Sequence, residues 1–126
     1  MADIDPSPEG FRALLEDDEP SFEDILACVF NLQPHEVRTY ETLLDHPGST
    51  VAELAAVLER DRSNVNRSLN ALCDQGLVER RRRLLENGGD VYQYEATSRP
   101  AVRELLHEAL EAWSAYVHER IDEFGE

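Results

Sequence analysis

Two apolar stripes joined by a very short connection constrain this chain more than any other feature. Residues 49–78 read S-T-V-A-E-L-A-A-V-L-E-R-D-R-S-N-V-N-R-S-L-N-A-L-C-D-Q-G-L-V. Thr50 is the predicted N-cap of a first helix. Glu53, three residues on, completes a capping box, and Val51, Leu54, Ala55 and Leu58 face inward. Asp61 is expected to cap a second helix, in which Val65, Leu69 and Leu72 repeat at helical spacing until Gly76 ends it. Only Glu59 and Arg60 remain to join the two, and so short a link between short helices predicts a helix-turn-helix.

The buried side of the second helix dictates its outer side. With Val65, Leu69 and Leu72 inward, Ser63, Asn66, Arg67 and Asn70 project outward and Arg62 sits on the flank. No carboxylate interrupts this face before Asp74. Arginine can pair with guanine O6 and N7, asparagine with adenine N6 and N7, and serine with bases or phosphates.

After Gly76 the period becomes strand-like. Leu77 to Leu85 and Val91 to Ala96 flank E-N-G-G-D, where residues 87–90 can supply the positive backbone angles of a hairpin turn. Helix, helix, hairpin is the order of a winged helix-turn-helix, and four consecutive arginines lie on the approach to the wing. The candidate DNA contacts are Arg62, Ser63, Asn64, Asn66, Arg67 and Asn70 of the helix, with Arg80, Arg81, Arg82, Arg83, Asn87 and Gly88 of the hairpin. Strand alternation sends Arg80 and Arg82 to one face and Arg81 and Arg83 to the other. One pair is expected to meet phosphates and the other to pair with acids.

Two helices precede this unit. Ser21 is the predicted N-cap of one, with Asp24 at N3 and Ile25, Leu26, Val29 and Phe30 at helical spacing. Pro34 suits the first turn of the next, whose stripe is Val37, Tyr40, Leu43 and Leu44, ended by His46-Pro47-Gly48. From Arg99 onward one long helix is predicted, with Leu105, Leu106, Ala109, Leu110, Trp113, Tyr116, Val117 and Phe124 on its apolar side. That stripe exceeds what a small domain can cover, so these eight residues are the expected interface of a two-fold homodimer. The chain thus divides into an acidic arm (1–20, with an apolar patch at Phe11, Leu14 and Leu15), a winged helix-turn-helix (21–98) and a dimerisation helix (99–126). The fold class is mainly α with a small β-hairpin, α+β.

Charge sharpens the reading. The chain carries 27 acids against 12 bases, a net −15, and every base is arginine. Between Arg60 and Arg83 seven arginines face three acids, a local +4, and the remainder carries −19. Absence of lysine with abundant acid resembles the surface composition of extreme halophiles, the alternative being a merely acidic bacterial or eukaryotic protein: dense carboxylates hold water and counter-ions, and molar salt screens their repulsion within a few ångströms. Salt cations are therefore expected at any DNA interface, between acidic margins and phosphates.

Other chemistry is thin. His35, His46, His107 and His118 form no metal-binding pattern, and there is no glycine-rich phosphate loop or nucleophile elbow, so no cofactor, metal or catalytic activity is expected. Cys28 and Cys73 lack C-x-x-C spacing and read as buried thiols rather than sensors. No apolar run reaches 18 residues, and the acidic N-terminus has no signal-peptide character, which points to the cytoplasm.

The motifs T-x-x-E-L-A-x-x-L, S-x-V-x-R-x-L-x-x-L, G-L-V-E-R and G-G-x-x-Y-x-Y, between Thr50 and Tyr94, resemble archaeal winged-helix transcription regulators of the TrmB-like and PadR-like groups. In its lysine-free acidity the chain looks like haloarchaeal members, including those that govern the stress response to reactive oxygen species. The resemblance implies a dimeric repressor or activator on a pseudo-palindromic double-stranded DNA site, with residues 62–75 in the major groove and the wing on the backbone. Full-length TrmB regulators carry a C-terminal sugar-binding domain that this chain lacks, so no sugar ligand is expected. The alternative is a winged helix serving as a protein-protein interaction module in a transcription or sorting complex, with the arginine strand meeting an acidic partner.

Overall fold

The computed structural model describes residues 21–125, so the acidic arm with Phe11, Leu14 and Leu15 lies outside the described residues. In chain order the elements are α1 (Phe22–Phe30), α2 (Pro34–Asp45), α3 (Val51–Leu58), α4 (Arg62–Asp74), β1 (Val78–Leu84), β2 (Asp90–Ala96) and α5 (Arg99–Phe124). Helix starts follow local hydrogen bonding. The Ser21 hydroxyl accepts from Asp24 N at 3.1 Å, and Thr50 accepts from Glu53 N at 3.1 Å while Glu53 Oε1 accepts from Thr50 N at 2.8 Å. Each such box satisfies donors that a helix start otherwise leaves exposed. Gln33 heads α2 in the same way, its N–H donating to Glu36 Oε1 at 2.8 Å, with Pro34 in the first turn.

Asp61 departs from the expectation. It occupies the N-cap position of α4 with extended backbone, yet its side chain makes no capping hydrogen bond. The connection from α3 is as short as predicted, Glu59 and Arg60 ahead of the Asp61 cap, and Glu59 adopts φ 55°, ψ 48°. Arg60 N donates back to Ala55 O at 3.1 Å, so α3 closes with a left-handed residue where glycine is the usual choice. At the far end of α4, Gly76 (φ 79°) supplies that conformation without a Cβ penalty, while Leu77 N reaches Leu72 O at 2.9 Å. Leu77 thereby points into the core as the chain turns toward β1.

One cluster forms the interior. Leu26 of α1, Val37, Tyr40 and Leu43 of α2, Leu54 and Ala55 of α3, Val65, Leu69 and Leu72 of α4, Leu77, Val78 and Tyr94 of the wing, and Val102 of α5 are all buried. The Tyr40 hydroxyl donates to Thr97 O at 2.8 Å, and Thr97 Oγ1 donates to Gly76 O at 2.8 Å, so the base of the wing is tied to both α2 and the end of α4. Burial raises the Tyr40 phenol above its ordinary value, opposed by the nearby Arg99 guanidinium. The first turns of α5 belong to the same interior, because Leu105 and Leu106 pack against it behind Val102. Ser98 caps α5, accepting from Ala101 N at 3.3 Å.

The wing is an antiparallel hairpin in which Arg80 pairs with Tyr94, Arg81 with Gln93, Arg82 with Tyr92 and Arg83 with Val91. Its turn is not the one predicted. The reverse turn spans Leu85 to Gly88, with Gly88 N donating to Leu85 O at 3.1 Å, and within this loop only Gly88 has positive φ while Asp90 already belongs to β2. A third edge was not foreseen. Ser49 bridges Tyr94, through Gly48 N to Tyr94 O and Tyr94 N to Ser49 O, each 2.9 Å, and Gln93 Nε2 donates to Gly48 O at 2.9 Å. The residues that lead into α3 are thereby bonded to the wing.

Glu59→Gly should stabilise the fold by about 1 kcal/mol, since it removes the left-handed penalty of a side chain. Urea denaturation checks this, and an unchanged or lower midpoint would contradict the strain at Glu59.

Candidate nucleic-acid interface

Burial of Val65, Leu69 and Leu72 sets the rotation of α4. Arg62, Ser63, Asn66, Arg67 and Asn70 are all exposed, as the spacing predicted, whereas Asn64 is half-buried. Asn64, one of the expected contact residues, engages a neighbouring side chain. Its Oδ1 accepts from Arg67 Nη2 at 2.7 Å, and Arg67 Nε reaches Ser63 O at 3.5 Å, so the guanidinium is drawn along the helix toward its N-terminus. This i, i+3 contact pre-orients a planar fork of donors on a face that carries no acid before Asp74.

All four wing arginines are exposed, but they are not equivalent. Arg81 Nη2 lies 3.3 Å from Glu95 Oε2 and 3.8 Å from Glu79 Oε2, and Arg82 Nε lies 2.8 Å from Asp90 Oδ2. Arg80 stacks over the Tyr92 ring, 4.3 Å from its centroid. Arg83 has no ion pair among the described residues. The expected division by strand face therefore does not hold. The acid-bound arginines, 81 and 82, come from opposite faces, because each carboxylate reaches its arginine diagonally across the ladder. On the Arg80 face the sheet turns inward: Val78 and Tyr94 are buried, and burial pushes the Tyr94 phenol up while Arg80 opposes the shift.

Arg83 borders an open cleft of about 430 Å³ between the wing and the start of α3, whose other walls include His46, Thr50, Glu53, Leu85 and Gln93. Asn87 and Gly88 stand exposed at the tip of the wing, with Asn87 Oδ1 accepting from Gly89 N at 3.1 Å. Leu84, next to Arg83, is 72% exposed. A smaller recess between α4 and β1 is lined by Asn70, Cys73, Asp74, Val78 and Arg80. Burial raises the Cys73 thiol above its ordinary value, with Arg80 opposing, so the thiolate that oxidation requires is disfavoured. Among the described residues no group of histidine, cysteine and carboxylate side chains could hold a metal ion, and no helix is long and apolar enough to cross a membrane.

A profile of the family described as "Sugar-specific transcriptional regulator TrmB" matches residues 26–99, from α1 to the start of α5. The chain belongs to the TrmB family of transcriptional regulators. Between the two groups resembled in sequence, TrmB is the one this match supports. An uncharacterized protein of Methanocaldococcus jannaschii is 34% identical to this TrmB-family chain, over 84% of the chain and 88% of its own length. Among solved structures, a possible transcriptional regulator from Methanosarcina mazei Go1 superposes with a TM-score of 0.72 at 24% identity, covering 82% of this chain and 88% of that one. A mutant of S. aureus MepR, bound to an oligodeoxyribonucleotide, superposes with a TM-score of 0.52 at 16% identity, covering 89% and 79%. Both likenesses show the winged-helix fold, long C-terminal helix included.

Along α5 the predicted interface residues divide. Leu105 and Leu106 pack partly against the chain's own interior, and Ala109, Trp113 and Val117 are half-buried. Leu110 and Tyr116 are half-exposed and Phe124 is 92% exposed. The Trp113 indole N–H has no acceptor among the described residues. Sequence reasoning missed the tether from Gln93 to Gly48 and the orientation of Arg67 by Asn64. An i, i+3 asparagine and arginine pair could have signalled the second, whereas nothing local signals the first.

Proposed function

We propose that this protein is a homodimeric, sequence-specific regulator that binds double-stranded DNA through α4 in the major groove and its wing on the backbone. The observation that carries this reading is the outer face of α4, where Ser63, Asn66, Arg67 and Asn70 stand exposed with no acid before Asp74 at the helix end, on a chain of net charge −15. Arg67 and Asn70 would read base edges, Arg62 and Arg83 would meet phosphates, and Asn64 would position Arg67. Membership in a regulator family agrees with this assignment. If instead the winged helix serves only as a protein-interaction module, the α4 face is dispensable.

Two copies would associate through the exposed side of α5, where Leu110, Tyr116, Ile121 and Phe124 leave apolar surface uncovered among the described residues. Two-fold symmetry then sets paired α4 helices one DNA turn apart, about 34 Å or a multiple of it, on a pseudo-palindromic site. High salt is the proposed working medium. There the acidic margins would hold cations between protein and phosphates, a term opposite in sign to the counter-ion release that arginines cause.

Arg67→Ala and Asn70→Ala should each abolish footprinted protection of the operator, a loss of about 1–3 kcal/mol per base contact, while weak binding to unrelated duplex persists. Intact specific binding in both variants would favour the interaction module. In sedimentation experiments at molar KCl the wild type should be a dimer and Leu110→Glu a monomer; a monomeric wild type would overturn the interface. Titration of affinity against KCl should give a shallower decline than the seven arginines of residues 60–83 would produce by counter-ion release. A decline as steep as that of an ordinary basic regulator would remove cations from the interface.

A further inference from the structure

The wing holds its own counter-charges. Glu79 and Glu95 flank Arg81, and Asp90 meets Arg82 at 2.8 Å, so two of the four arginines are already engaged within the hairpin. The ladder imposes this arrangement. Arg81 is opposite Gln93 and Arg82 opposite Tyr92, which puts Glu95 and Asp90 one diagonal step away, each on the face of the arginine it binds. Glu86, at the wing tip, has no ion pair among the described residues.

We propose that Glu79, Glu95 and Asp90 are specificity determinants that act as internal substitutes for phosphate, holding Arg81 and Arg82 back from non-specific DNA. The proposal rests on the DNA-binding reading above. A carboxylate engages the same N–H donors that a phosphate oxygen would use, so a paired guanidinium adds to DNA affinity only after its pair is broken. Binding to random sequence depends almost wholly on such charge contacts, whereas operator binding also draws on α4, which these acids do not touch. The acids therefore weaken random binding without disturbing base reading. The side chains in these pairs are 42–72% exposed. The competition is consequently mild, at most about fivefold per pair.

The test uses the full chain, a random-sequence duplex and a range of KCl concentrations. Asp90→Asn, and Glu79→Gln combined with Glu95→Gln, should each raise random-duplex affinity several-fold at low salt. Each should also steepen the dependence of log affinity on log KCl by about one per released arginine. Glu86→Gln removes the same charge from the wing without freeing an arginine and should do neither. Adding Arg82→Ala to Asp90→Asn, or Arg81→Ala to the double glutamine variant, should cancel the gain, whereas either arginine variant alone should change wild-type affinity little. Equal gains from Glu86→Gln and Asp90→Asn would overturn the proposal, because charge alone would then be the cause. So would a loss on Arg81→Ala as large in the wild type as in the glutamine background. Failure of wild type and variants alike to bind any duplex would overturn the DNA-binding reading and this proposal with it, while duplex binding unaltered by the acid variants overturns this proposal alone.

Discussion

What α4 shows to solvent depends on what it hides. Val65, Leu69 and Leu72 are fully buried, and each such side chain contributes about 1.5–3 kcal/mol relative to exposure. A turn of the helix by one residue would rotate every side chain by about 100°, bring Asn66 and Asn70 toward the interior and carry this apolar row toward water. No surface contact compensates for that loss. The direction of Arg67 and its neighbours is therefore a by-product of the core, and the same core positions Leu77 and Val78, from which the wing departs.

Much of this was legible because helical burial leaves a period of its own. The helix-turn-helix pair, the Ser21 and Thr50 caps, the stop at Gly76 and the long final helix all follow from spacing and side-chain chemistry within a few residues. Asp61 shows the limit. Its type and position suit an N-cap, but its side chain makes no bond to the helix start, and residue type alone does not reveal that. The Ser49 bridge to Tyr94 was unreadable for another reason: a single pair has no period, and its partners lie far apart along the chain.

The arginine strand was readable in part. Alternation assigned the four side chains to two faces correctly, but pairing across the ladder depends on register, and register depends on the turn. With the reverse turn at Leu85 to Gly88, Asp90 joins the strand and comes within reach of Arg82. A residue expected to shape the loop is instead a counter-ion. Arg80 exploits a property that lysine lacks, since its flat guanidinium can lie on the Tyr92 ring while its edges remain open to other partners.

The Ser49 bridge also has a mechanical meaning. It fastens β2 to the chain leading into α3, while the Tyr40 and Thr97 hydrogen bonds fasten the wing's base to α2 and to the end of α4. Helix and wing form a gauge of fixed gap rather than two independent fingers. On the proposed DNA-binding reading, a duplex held by both would meet little give in the protein at that joint, so the adjustment would fall on the DNA, whose willingness to bend varies with its sequence.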